Sequence, residues 1–239
     1  MKTLLITAMT ALSLMSNIVN ADVLGLYVGG GSWSHDPSGG FQSQNPGSDN
    51  ISMKNSLGLG DESEGYAYLA FDHPVPLLPN IRLERTALTH NGVSSGVNFN
   101  GQTALSGDAV VSLDSTDLTL YWRLLDNWVN LDIGLTLRNF DGEFTIATET
   151  LLLEETIPMI YAAAQFDLPL TGLSVGGDIN IISVSGNTLS DTRVRVLYEF
   201  GVIGVEAGLR TTAIELDDVD NVTTDISFDG LFLGAFLHF

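Results

Sequence analysis

Between Asp117 and Arg138 the sequence alternates with a period of two. Leu118, Leu120, Trp122 and Leu124 oppose Asp117, Thr119, Tyr121 and Arg123; after a tight Asp126-Asn127 turn, Val129, Leu131, Ile133, Leu135 and Leu137 oppose Asn130, Asp132, Gly134, Thr136 and Arg138. Period two is the signature of a β-strand, and Asp-Asn between two such runs predicts a hairpin. One face of this hairpin is wholly apolar while the other carries both arginine and aspartate. A closed barrel with lipid outside and a polar interior satisfies both faces and every backbone group.

The same pattern recurs along the chain. Residues 23–33, 63–72, 81–89, 159–167, 173–181, 193–200, 205–210 and 231–239 also alternate, which gives ten predicted strands, an even number as single-chain bacterial barrels have. The connections at 73–79, 126–127, 168–172 and 201–203 are tight. Those at 34–61, 91–107, 141–155 and 215–224 read as long polar or acidic loops, with a shorter one at 186–190. Short turns belong on the periplasmic side and long loops outside, so both termini fall on the periplasmic side.

Met1 to Ala21 reads as a secretory signal, with Lys2, an apolar run from Leu4 to Met15 and the small-residue cut Val19-Asn20-Ala21; residues 22–239 then form the barrel domain. No stretch has the roughly 18 to 20 continuous apolar residues of a transmembrane helix. The absence of cysteine excludes disulfides, thiolate chemistry and Cys-based zinc sites. A formal net charge of −20 argues against nucleic acid as a partner. The last residues alternate up to Leu237 and a terminal Phe239, the form of a closing strand whose end the outer-membrane assembly machinery reads.

The block His73-Pro-Val-Pro-Leu-Leu-Pro-Asn-Ile-Arg82 and the stretch Asp117–Arg138 around Leu125-Asp126-Asn127-Trp128-Val129 resemble an uncharacterised family of small outer-membrane β-barrel proteins of Gram-negative bacteria. The resemblance implies a barrel fold and an outer-membrane location. It brings no activity and no catalytic residues.

On the faces predicted to point inward, arginine repeatedly shares parity with an acid: Arg82 with Glu84, Arg123 with Asp117, Arg138 with Asp132, Arg193 and Arg195 with Glu199, and Arg210 with Glu206. Guanidinium forks can pair several carboxylates in a barrel about as wide as its side chains. This predicts either an ion-pair plug in a structural or envelope-interacting barrel, or a ladder of cations lining a narrow channel for small polar or anionic solutes. Arg85 breaks parity, through a bulge or by lying beyond the lipid band. Trp122 and Trp128 are expected to anchor the barrel at the periplasmic interface and Trp33 at the other.

An enzyme is the weakest expectation. Ten-stranded outer-membrane proteases place an Asp pair and an Asp-His pair at the outer rim; His35, read as a solvated loop residue, and His90 are the only rim candidates, and the chain looks short for so tall a wall. No cofactor or metal is expected; Glu215, Asp217, Asp218, Asp220 and Asp225 read as a solvated acidic loop that lacks EF-hand spacing. Outer-membrane lipid, lipopolysaccharide and the assembly machinery are the predicted partners of a monomer.

Overall fold

The computed structural model describes residues 24–75, 77–99, 101–219 and 222–239. The predicted signal segment lies outside the described residues. The described chain contains no helix long and apolar enough to cross a membrane. It is built from strands β1 (Gly25–Ser43), β2 (Asn50–Ser52), β3 (Glu62–Asp72), β4 (Asn80–Thr86), β5 (Thr89–Phe99), β6 (Gln102–Asp126), β7 (Val129–Ile146), β8 (Glu149–Leu153), β9 (Thr156–Leu168), β10 (Leu173–Val184), β11 (Asn187–Phe200), β12 (Ile203–Val219) and β13 (Val222–His238).

These thirteen strands occupy ten positions in one closed antiparallel ring. Strand β1 pairs with β13 on one side and with β3 on the other, which closes the sheet. β4 and β5 are two parts of one wall position, both pairing with β6 and interrupted at residues 87–88. β8 and β9 likewise both pair with β7, interrupted at Glu154 and Glu155. The predicted terminal strand closes against the first: Tyr27 faces His238, and the Phe239 N–H donates to the Leu26 carbonyl at 3.0 Å while the Leu26 N–H donates to the Phe239 carbonyl at 2.9 Å.

The long loops expected from the sequence are instead strand. β1 continues to Ser43 on the register of β13, β5 and β6 form a hairpin over most of 91–107, and β7 and β8 do so over most of 141–153. β12 and β13 pair out to Val219 and Val222 across the stretch read as an acidic loop. Polar composition suggests loops, but a strand whose outward face meets water is polar on that face by necessity. The wall is therefore tall, contrary to the expectation that the chain is short for it: β6 has 25 residues, about 80 Å along its own path at roughly 3.3 Å per residue.

What changes along each strand is the chemistry of its two faces. On the half nearest the termini, Leu118, Leu120, Trp122 and Leu124 of β6 are exposed outward, and Leu231, Leu233 and Leu237 of β13 likewise, while Asp117, Thr119 and Tyr121 are buried inward. Farther on, the outward residues are Ser112, Asp114 and Thr116 on β6, and Asp225, Ser227 and Asp229 on β13. The inward ones there are Ala109, Val111 and Leu113, and Ile226 and Phe228, all buried. Lateral hydroxyl pairs coat this outer wall, as between Ser38 and Ser227 at 3.0 Å and between Thr89 and Ser112 at 2.9 Å. A membrane barrel and a water-facing barrel share one set of strands.

The water-facing half is filled by an apolar core. Residues 44–61 help close its wall: β2 pairs with the far end of β1, the Asp49 N–H donates to the Asn98 carbonyl at 2.8 Å, and Ile51, Met53, Leu57 and Leu59 are buried. They pack with Phe41, Val97, Leu113, Phe140 and Phe228. Burying four such side chains contributes about 1.5 to 3 kcal/mol each relative to exposure, enough to hold a segment with little strand of its own.

Candidate functional site

Directly below the apolar core lie two histidines. His35 is 1% exposed and His90 is fully buried; His35 Nδ1 and His90 Nε2 are 2.8 Å apart. His90 Nδ1 is 2.9 Å from the Gly60 carbonyl, which can only accept, so His90 carries its proton there. Nε2 of His90 is then the acceptor and His35 Nδ1 the donor. His35 Nε2 is left as a bare acceptor without a partner among the described residues. This corrects the reading of His35 as a solvated loop residue. Both histidines sit inside the wall, buried beside Phe228. Trp33, expected at an outer girdle, is also buried, with the Arg210 guanidinium 4.8 Å from its ring centroid.

Beneath the histidines the ion pairs form one connected layer. Arg138 donates from Nε and Nη2 to the two oxygens of Asp117 at 2.8 and 2.6 Å, and from Nη2 to Asp191 at 2.9 Å. Arg210 reaches the same Asp191 at 2.7 Å and Glu84 at 3.5 Å. Arg193 bridges Glu84 and Asp178, both at 2.9 Å. Arg82 meets Glu84 at 2.6 Å and lies over the Tyr68 ring. Arg195 stands 3.6 Å from both Asp178 and Glu206, and Tyr66 donates to Glu206 at 2.8 Å. Gly234 makes room for that last bond, because a Cβ there would lie 2.2 Å from the Tyr66 hydroxyl.

Five arginines thus face five carboxylates, which leaves the layer balanced. Several expected pairings are corrected. Asp117 serves Arg138 rather than Arg123; Asp132 serves Arg123 rather than Arg138, with Arg123 also on Asp72 at 2.7 Å. Glu206 faces Arg195 rather than Arg210, and Glu199 faces His238 at 3.4 Å instead of Arg193 or Arg195. Shared parity identifies a face, but the partner is fixed by neighbouring strands: Asp117 sits opposite Arg138 and Asp132 opposite Arg123 in the β6–β7 register. Asp72, Asp178 and Asp191 were missed; the signal available for the last two was their inward parity with a neighbouring strand's arginines or their own.

No protein-family model and no curated protein matches the sequence. Among solved structures, the chain is similar to the outer membrane protease OmpT from Escherichia coli, at 9% identity over 91% of this chain and 97% of that one, with a TM-score of 0.51. It is also similar to the outer membrane protein AlkL, at 14% identity over 94% of each chain and a TM-score of 0.42, and to Ail of Yersinia pestis, at 9% identity over 91% and 99% and a TM-score of 0.40. At these identities the likeness is one of fold. The likeness in fold to OmpT, together with the closed ring and its outward apolar band, decides the class. The molecule is a transmembrane β-barrel of the outer-membrane type.

The outer surface of this barrel places the remaining expected residues. Trp122 points outward beside the 73–79 turn and its Nε1 donates to the Leu77 carbonyl at 3.1 Å; Trp128, exposed, meets Phe166 edge-on at 5.1 Å between ring centroids. Leu237 and Phe239 are both partly exposed at the same end. Arg85 causes no bulge: the β4–β6 register is continuous across it, and it points outward at the far border of the apolar band, 3.0 Å from Asp114. Of the acidic stretch, Asp220 lies outside the described residues. Asp225 is on β13, and the Asp217 N–H donates to Asn187 Oδ1 at 2.7 Å. No group of three or more His, Cys, Asp or Glu among the described residues could hold a metal ion.

Below the ion-pair layer the lumen opens toward the end that holds the termini. The cavity has a volume of about 520 Å³ and is lined by residues such as Tyr27, Tyr161, Arg123, Asn130, Asp167 and Phe236. Its inner end is lined by Arg82 and Arg195 of the ion-pair layer and by Tyr68, Tyr121 and Tyr161.

Proposed function

We propose that this barrel is a structural, envelope-interacting component of the outer membrane whose lumen is sealed. The observation that supports the reading is the stacking of two layers across the lumen: a charge-balanced Arg/acid layer and, over it, a buried apolar core. A channel needs a continuous polar path in which ions bind weakly enough to leave. Here each buried arginine already has a carboxylate, and freeing one would leave its partner unpaired at a cost of roughly 3 to 5 kcal/mol. In this reading the polar outer wall contacts lipopolysaccharide, the barrel is a monomer in lipid, and the end at Leu237 and Phe239 is what assembly machinery recognises. No enzymatic role is proposed, since the two candidate histidines are enclosed.

The test is conductance of the refolded full-length barrel in a planar bilayer. A silent bilayer with the folded protein inserted is the expected result. Steady, ion-selective steps that change selectivity when Arg138 or Arg210 is neutralised would overturn the reading in favour of a narrow channel.

A further inference from the structure

Above the lipid band the wall is not equally tall all round. The β7–β8 hairpin rises well beyond the band, whereas β10 ends at Val184 and turns back at Ser185 and Gly186 into β11. Ile181 pairs with Ile160, so the end of β10 stops near the start of β9 and β8 stands above it. On the far flank β12 loses β11 after the Glu215–Thr188 pair and continues against β13 alone. A notch results, framed by β8 on one side and the end of β12 on the other. Its two flanks differ. The Asp217 N–H of β12 is taken by Asn187 Oδ1 at 2.7 Å. β8 pairs with β7 and has no backbone partner on its other side among the described residues.

Free edges are ordinarily blunted by proline or charge, because their bare N–H and C=O groups template another strand. The middle of β8 has neither: Thr150, Leu151 and Leu152 are exposed. Leu151 pairs with Phe144 on the inward parity of β7, and Val184 shares the inward parity of Asp178 and Asn180, yet the two are 54% and 59% exposed. The apolar core is therefore uncovered at the notch. On the other side of the barrel the corresponding edge, that of β5, is covered by residues 44–61 of the chain itself. The Asp49 N–H donates to the Asn98 carbonyl, the Leu57 carbonyl lies so near Gly92 that a Cβ there would be 2.2 Å from it, and Ile51, Met53, Leu57 and Leu59 enter the core. The molecule thus shows what covers such an edge: a polypeptide segment with apolar residues of one parity.

Charge selects among such segments. Glu149, Glu154 and Glu155 stand at the two ends of β8, and Glu215 and Asp217 on the opposite flank. The lysine and the outward arginine of this half, Lys54 and Arg85, are taken by Asp36 and Asp114. A second copy of the chain would bring the same acids to the same edge, while a cationic segment meets a complementary field. We propose that the notch takes an extended cationic polypeptide segment, added to β8 as a further strand, with alternate apolar side chains set on Leu151 and Val184 and its lysines or arginines among the acids at the ends of β8. This names a partner class for the envelope-interacting role and rests on that reading.

The test is fluorescence anisotropy of a short labelled peptide, alternating valine and threonine between terminal lysine pairs, titrated with the full barrel in non-ionic micelles. Saturable binding is expected, weakened by about tenfold in Glu154→Gln/Glu155→Gln and in Leu151→Ser/Val184→Ser. Asp61→Asn/Glu62→Gln, at the start of β3 across the ring, should leave it unchanged. N-methylation along one edge of the peptide should abolish binding, and along the other edge spare it. Absence of saturable binding, equal binding of the two methylated peptides, equal binding of a peptide with glutamate in place of lysine, or equal weakening by Asp61→Asn/Glu62→Gln would each overturn the proposal. So would a barrel that sediments as a dimer and is dissociated by Leu151→Ser/Val184→Ser, which would give the edge to a second copy. Heat-resistant migration on gels reports folding of each variant independently. Peptide binding by a barrel that conducts would keep the notch and sink the sealed lumen; a silent barrel that binds no peptide would do the reverse.

Discussion

The buried histidine pair makes a sharp statement at the scale of single residues. It lies beyond the lipid band, where the outward neighbours Ser34, Asp36, Ser63 and Asp229 are polar. Burial first, then the facing His90 and Arg210 of β12, hold His35 down to about 4; burial also lowers His90, against the opposing pull of Glu62, Asp36 and Asp61. The proton that acid would add belongs on His35 Nε2, which has no acceptor to receive it. In the unfolded chain the same imidazole titrates near 6.5. Between those two values the unfolded state binds a proton that the folded state does not, so stability falls as pH drops from about 6.5 to about 4 and this contribution levels off below. Denaturant midpoints measured across that window should decline in the parent protein and decline less in His35→Gln/His90→Gln. Parallel curves for the two proteins would remove the pair from the pH response.

Among the elements, the segment over residues 44–61 is the most exposed to a direct challenge. Its Lys54 is half-exposed and bonds Asp36 at 2.6 Å, while Met53 and Leu57 on either side are buried. Truncating both in Met53→Ala/Leu57→Ala removes core packing worth about 2 to 5 kcal/mol per site. The local opening that exposes Lys54 should become correspondingly more frequent. Trypsin added outside should then cut after Lys54 much faster than in the parent, with the barrel still inserted; unchanged cleavage would show that these side chains do not hold the segment. The sequence offered little warning of this element. Its hydrophobics, Ile51, Met53, Leu57 and Leu59, share one parity, but Asn55 interrupts the run and the polar, glycine-bearing residues around it read as a loop; they reach the core from turns and a three-residue strand. By contrast, the alternation of Leu118–Leu124 and Leu131–Leu137 made the membrane strands, their tight turns and the closing β13 legible, because lipid forces one face to be uniformly apolar. The ion-pair layer was legible as a set of inward arginines. Its pairing was not, because Asp191 and Arg138 meet across the lumen, from strands 53 residues apart in sequence.

Across the whole molecule, the governing fact is the exchange of polarity between two halves of one ring of strands. Below, lipid takes the apolar face and the charges turn inward, where they must neutralise one another; above, water takes the polar face and the hydrophobics turn inward as in a water-soluble barrel. The boundary is a plane through the outward residues, and it predicts how one substitution should depend on depth. Leu135, outward on β7 and paired with Leu120 and Ile160, sits within the band. Ser227, outward on β13 and paired with Ser38 and Ala213, sits beyond it. Leu135→Arg should destabilise folding into lipid bilayers by about 2 to 4 kcal/mol, the cost of an arginine near the midplane of a barrel, while Ser227→Arg should cost less than about 1 kcal/mol. Equilibrium folding into vesicles of one lipid measures both. Equal costs would mean that the lipid reaches the upper wall, and with it the assignment of the hydroxyl-coated half to water, and of its apolar interior to a core rather than a passage, would fail.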